Sequence, residues 1–141
     1  MEIVISQNQD ASHVTILQVR GALDGESYQD FITEAEKLFD NGARNLLVDM
    51  TELKFLSSAG LAALHRTARI FRGEDRSTLE EGWAAIHAMG RASDSGLQEH
   101  VKLFNPGENI LGVLDTVGFK AFFEIYTDMD QALASFPATQ S

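Results

Sequence analysis

Residues 46–64, Leu46-Leu47-Val48-Asp49-Met50-Thr51-Glu52-Leu53-Lys54-Phe55-Leu56-Ser57-Ser58-Ala59-Gly60-Leu61-Ala62-Ala63-Leu64, run from a buried strand through a tight loop into a helix that opens at two adjacent serines. The apolar run Leu46-Leu47-Val48 reads as a central strand, and Asp49 and Thr51 read as the turn that ends it. Leu61, Leu64, Ala68 and Phe71 then return at helical spacing, which predicts a helix over residues 58–71 with Ser57 or Ser58 as N-cap. A hydroxyl in the first turn of a helix faces unpaired backbone N–H groups and the positive end of the helix dipole. A phosphate added there brings about two negative charges to a place that tolerates them. The junction is therefore a candidate switch as well as a candidate cap.

Strands and helices keep alternating on both sides of this stretch. Toward the N-terminus, residues 2–6 and 14–20 read as strands joined by a polar turn through Asn8, Asp10 and Ser12. Gly21 breaks the second run, and Asp24 with Gly25 begins a loop. Tyr28, Phe31, Ala35 and Leu38 mark a helix, widened by Ile32 and Phe39 and stopped by Asn41-Gly42 before a third strand over 44–49. Toward the C-terminus, residues 101–104 read as a strand. Asn105 and Pro106 should cap and open a helix with Ile110, Leu114 and Val117 inward and Gly118 at its end. Residues 122–126 read as the last strand, and Thr127 or Asp128 caps a final helix bearing Met129, Leu133 and Phe136, after which 137–141 should fray. Such alternation predicts an α/β fold, a small mixed but mostly parallel sheet with helices packed mainly on one face.

Residues 72–99 interrupt the alternation after the second helix and read as an insertion. Ser77 and Glu80 have capping-box spacing, and Leu79, Trp83, Ile86 and Met89 or Gly90 fall on one face of a short helix. That face either folds back on the domain or, since it carries the only tryptophan, serves a partner or a homodimer.

With 141 residues and 44% hydrophobic content, the expectation is one domain over residues 1–141. No apolar run approaches the roughly 18 residues of a membrane span, and the first residues lack a signal-peptide pattern, so a cytoplasmic protein without direct membrane insertion is expected. Zero cysteines exclude disulfides and thiolate chemistry. A net charge of −10 argues against nucleic acid and anionic membrane as partners, and basic protein surfaces fit better.

Paired serines raise a nucleophilic hydrolase, but a nucleophile elbow needs glycine two positions before the serine. Phe55 and Leu56 occupy those positions, and His65 lies further along the same helix. The histidines show no ligand-like spacing, and neither a Walker loop nor a dinucleotide glycine fingerprint occurs, so no metal, cofactor or enzymatic activity is expected. Asp24 and Asp49 sit at strand ends, where either chemistry or plain loop hydrogen bonding would place them.

Phe55-Leu56-Ser57-Ser58-Ala59-Gly60-Leu61 resembles the STAS domain, shared by bacterial anti-sigma factor antagonists and the cytoplasmic ends of sulfate transporters. Gly21-Ala22-Leu23-Asp24 resembles the family's Gly-x-Leu-Asp loop, Asp49 with Phe55 its approach to the switch helix, and Val117-Gly118-Phe119 with Phe123, Ile125 and Tyr126 its C-terminal part. The likeness spans the chain outside residues 72–99. It implies a single STAS-like domain and a non-catalytic regulator that binds an anti-sigma factor with serine kinase activity. It also implies phosphorylation at Ser58, ahead of Ser57, with release of the partner on phosphorylation. The binding surface it implies comprises Asp24, Ser57, Ser58, Gly60 and Leu61. The chain departs from the family's Asp-Ser-Ser-Gly-Leu form at Ser57, in place of aspartate, and at Ala59, in place of the second hydroxyl. The alternative within the family is a constitutive interaction or small-ligand module, including one associated with a transporter, that is never phosphorylated.

Overall fold

In the computed structural model, which describes residues 1–8, 11–73 and 98–136, the run Leu46–Asp49 forms a strand buried at every position. Its neighbours explain why. The sheet contains β1 (Glu2–Asn8), β2 (Ala11–Leu23), β3 (Leu46–Asp49), β4 (Leu53–Leu56), β5 (Val101–Phe104) and β6 (Ile125–Tyr126), in the order β1-β2-β3-β5-β6. The edge strand β1 is antiparallel to β2, and the remaining pairs are parallel. β2 is long enough to pair β3 through Thr15 to Gln18 and then β4 through Gly21 to Leu23, so β3 and β4 lie end to end along it.

Alternation of side chains across the strands divides the interior. Leu17, Val19, Leu46, Val48, Val101 and Leu103 face the larger core. Three helices cover them: α1 (Tyr28–Asp40), α2 (Ser58–Phe71) and α3 (Glu108–Thr116). On the opposite face Val14 and Leu47 meet Ala132 and Leu133 of the short α4 (Met129–Ala134), together with Phe136. The mixed, mostly parallel sheet with helices mainly on one face agrees with the expectation from sequence. Lys102 also lies within the sheet, buried, and each of its three donors has an acceptor: Ser135 O at 2.9 Å, Ser135 Oγ at 3.1 Å and Glu124 Oε1 at 2.8 Å.

Several boundaries differ from those predicted, each for a local reason. Gly21 does not end β2 but sits within it at φ +86°, where the pairing with β4 shifts register. β3 begins at Leu46, where pairing with Thr15 and Val101 starts, while the Arg44 guanidinium is turned back onto the carbonyls of Phe39 and Ala43. Asn105 does not cap α3. Its backbone N–H donates to Tyr126 O and its side chain to Thr51 Oγ1, so it belongs to the sheet, and Gly107 is the N-cap. Only Ile125 and Tyr126 of the predicted last strand pair with β5. Phe122 and Phe123 instead donate to Phe119 O, closing a 3-10 turn over Phe119–Ala121. The stretch Leu53–Leu56, read as loop, is the strand β4. The expected insertion, with Ser77, Glu80, Leu79, Trp83, Ile86 and Met89, and the tail 137–141 lie essentially outside the described residues.

Candidate functional site

The carbonyl of Leu23, the last residue of β2, is where two segments meet. Leu23 pairs with Leu56 across β2 and β4, and its oxygen accepts from the Ser57 N–H at 3.1 Å. The next residue in one chain direction is Asp24, and in the other segment the helix α2 begins. The sheet pairing thus brings the loop at Asp24 to the start of α2.

α2 approaches this carbonyl closely. A Cβ built on Gly60 would lie 2.5 Å from Leu23 O and 2.6 Å from Leu56 Cδ1, so only glycine lets the first turn seat here. Ser57 is extended, at φ −95° and ψ 177°, and its Oγ accepts from the Gly60 N–H at 3.3 Å. Ser57 is therefore the N-cap. Ser58 is the first helical residue, and its side chain is exposed. The structure thus decides between the two assignments left open by the sequence. Gly60 and Leu61 are both buried and seat the turn, leaving the outer surface to Ser58.

The Asp24 loop is ordered by its own side chains. Asp24 Oδ1 accepts from the Glu26 N–H at 3.0 Å and lies 3.2 Å from Ser27 Oγ. That buried hydroxyl accepts from the Asp24 N–H and sits 3.0 Å from Ala22 O, tying the loop to the end of β2. The Asp24 carboxylate is half-buried beside an exposed Gly25 and Glu26. Asp49 is committed to a turn: its Oδ1 accepts from Thr51 N–H at 2.9 Å and Thr51 Oγ1 at 2.6 Å. The His65 ring packs in the core, stacked on Phe122 with centroids 5.5 Å apart. Among the described residues, no three His, Asp or Glu side chains gather as a metal site would need. A groove of about 350 Å³ between β1 and α1, lined by Met1, Ile3, Asp30, Thr33, Glu34 and Lys37, shares no residue with the serine face.

One contributor to this surface escaped the sequence reading. Gly21 pairs with Leu53 and Ala22 with Phe55, so Lys54 is an extra residue, a bulge in β4. Without it, Leu53 and Phe55 would point the same way. With it, Leu53 and Leu56 turn inward while Lys54 and Phe55 turn out, and Phe55 is 53% exposed. With about half of its surface in solvent, Phe55 forgoes a comparable share of the about 1.5–3 kcal/mol that full burial of such a side chain brings. The signal in the sequence was the spacing of apolar residues 53, 55 and 56, which no regular strand can place on one face.

The STAS family model described as Mlab, STAS domain, matches residues 6–94, and the chain belongs to that family. STAS domains are non-catalytic and regulatory. The match runs through residues 72–94 and stops before β5. No curated protein matches the chain significantly. Among solved structures, an inferred anti-sigma factor antagonist from Thermotoga maritima superposes with a TM-score of 0.65 at 14% identity, covering 94% of this chain and 92% of that one. An anti-sigma factor antagonist from Mycobacterium paratuberculosis gives 0.65 at 15% identity, over 95% and 92%. The Bacillus cell fate determinant SpoIIAA in its phosphorylated form gives 0.51 at 13% identity, over 93% and 96%. At such identities the likeness is one of fold. Among the described residues no helix is long and apolar enough to cross a membrane.

Proposed function

We propose that this chain is a partner-switching regulator of the anti-sigma factor antagonist type, acting in the cytoplasm as one STAS domain elaborated at residues 72–99. Its face at Asp24, Ser57 and Ser58 docks an anti-sigma factor that is also a serine kinase. Phosphorylation of Ser58 releases that partner. The observation that carries the reading is the division of labour between the serines: Ser57 is used as the cap, while Ser58 stands exposed on the first turn of α2. A phosphate on Ser58 would sit near first-turn N–H groups in a turn that contains no acidic residue. In a docked interface the same two charges would be desolvated and, where no cation of the partner faces Ser58, unpaired, so release needs no refolding.

The test uses the purified anti-sigma factor kinase encoded in the same genome. Incubation with ATP followed by peptide mass spectrometry should locate phosphate on Ser58, and Ser58→Glu should weaken binding about tenfold or more. Phosphate absent from Ser58, or a Ser58→Glu protein that binds like the wild type, would remove the switch.

A second reading is a constitutive docking module, transporter-associated or not, that is never phosphorylated. One observation favours it: Ala59 stands where the resembling motif has its second hydroxyl. It predicts binding that Ser58→Glu leaves intact.

A further inference from the structure

The bulge at Lys54 does something that capping and switching do not require. It takes an aromatic side chain that a regular strand would bury beside Leu53 and turns it to solvent, two residues before the N-cap Ser57. The device is built into both strands, because the partner position on β2 is Gly21 at φ +86°, a conformation that side chains rarely adopt. Bulges of this kind re-aim a side chain, and here the re-aimed side chain is Phe55.

We propose that Phe55 is the anchor of the docking face, inserting into an apolar socket rimmed by lysine or arginine side chains on the anti-sigma factor kinase. The inference rests on the reading of the chain as an antagonist that docks through this face. Three observations favour that occupant. Phe55 is continuous with the face: Ala22 is its partner across the strands, and Leu23 and Asp24 follow. The loop after Leu23 carries the half-buried Asp24 and the exposed Glu26, while the exposed Lys54 adjoins Phe55 in β4, so the acidic part of the rim is the loop between β2 and α1. The chain as a whole carries −10, which repels a second copy and attracts a basic surface. An aromatic anchor with charges at its margin is the arrangement in which a few residues carry most of the binding, the anchor through desolvated contact and the rim through encounter.

The two roles separate in a titration of the wild type, Phe55→Ala and Glu26→Gln with the purified kinase at low and high salt. Phe55→Ala should raise Kd about tenfold or more and leave the salt dependence as it was. Glu26→Gln should change Kd less and flatten the salt dependence. Because Phe55 is 53% exposed, Phe55→Ala should lower the urea midpoint only slightly and keep the slope of the transition, which shows that the fold is intact. Binding of Phe55→Ala equal to that of the wild type would overturn the anchor while leaving the antagonist reading in place. A wild-type protein that does not bind the kinase at all would overturn both.

Discussion

A hydroxyl at an N-cap and a hydroxyl one residue further on are held by different forces. The oxygen of Ser57 is fixed because the Gly60 N–H has no partner within the helix, whereas Ser58 is exposed at the first helical position. Ser57→Ala should therefore cost about 1 kcal/mol, within the 0.5–2 kcal/mol usual for a lost cap. Ser57→Asp keeps an acceptor there and adds a negative charge at the positive end of α2, so it should be neutral or stabilising by about 0.3–1 kcal/mol. Ser58→Ala, on an exposed side chain, should stay within about 0.5 kcal/mol of the wild type. Urea unfolding of the three variants checks the ordering. A Ser58→Ala protein destabilised more than Ser57→Ala would reverse the assignment of cap and exposed residue.

At the scale of elements, α2 is placed by contact of its first turn with the end of β2. Alanine is the better helix former by about 1 kcal/mol, yet the Cβ of Gly60→Ala would meet the backbone oxygen of Leu23. A backbone atom cannot rotate away, so the substitution should cost about 1–3 kcal/mol and loosen the Ser57–Leu23 junction. A lower urea midpoint with faster amide exchange at Ser57 would bear this out, and unchanged stability would mean the helix slides without penalty. Elements of this kind were legible in the sequence where one period dominates. The apolar stripe of α2 and the run at β3 gave α2 its observed bounds and β3 to within two residues, because nothing competes with their burial. Legibility failed where backbone hydrogen bonds that the pattern does not encode decide the outcome. The apolar run at Phe122 and Phe123 looks like a strand, yet both residues are buried as aromatic fillers against Phe119 while their N–H groups close a turn. Lys102 was read simply as part of a strand, and its burial depends on Ser135 and Glu124, which are more than twenty positions away in sequence. The serine pair was visible as a helix start; which serine caps it, and that Phe55 is turned outward, depended on pairing with Leu23 and on one bulged residue.

The whole molecule adds a background charge of −10 that any pH experiment must separate from local effects. Acidification relieves the general repulsion among carboxylates and so tends to stabilise the compact state. Glu124 works in the opposite direction. The hydrogen bond from Lys102 holds its carboxyl below the usual value of 4.5, overcoming the desolvation that pushes it up, with the Tyr126 hydroxyl and the Lys102 charge adding to the lowering. For a carboxylate depressed in the folded state, the stabilisation is complete above the unfolded-state value and is lost as pH falls through the folded-state value. This contribution should therefore disappear below the ordinary carboxylate value. Glu124→Gln removes it while leaving Lys102 its two acceptors on Ser135, the residue that follows α4. The variant should be less stable than the wild type at neutral pH, and the gap should close as both are taken to acid. The general repulsion is nearly common to both proteins and falls out of the difference. Urea unfolding at a series of pH values gives that difference directly. A gap that stays constant down to the acid limit would show that Glu124 acts by packing, and that the buried Lys102 is held by Ser135 alone.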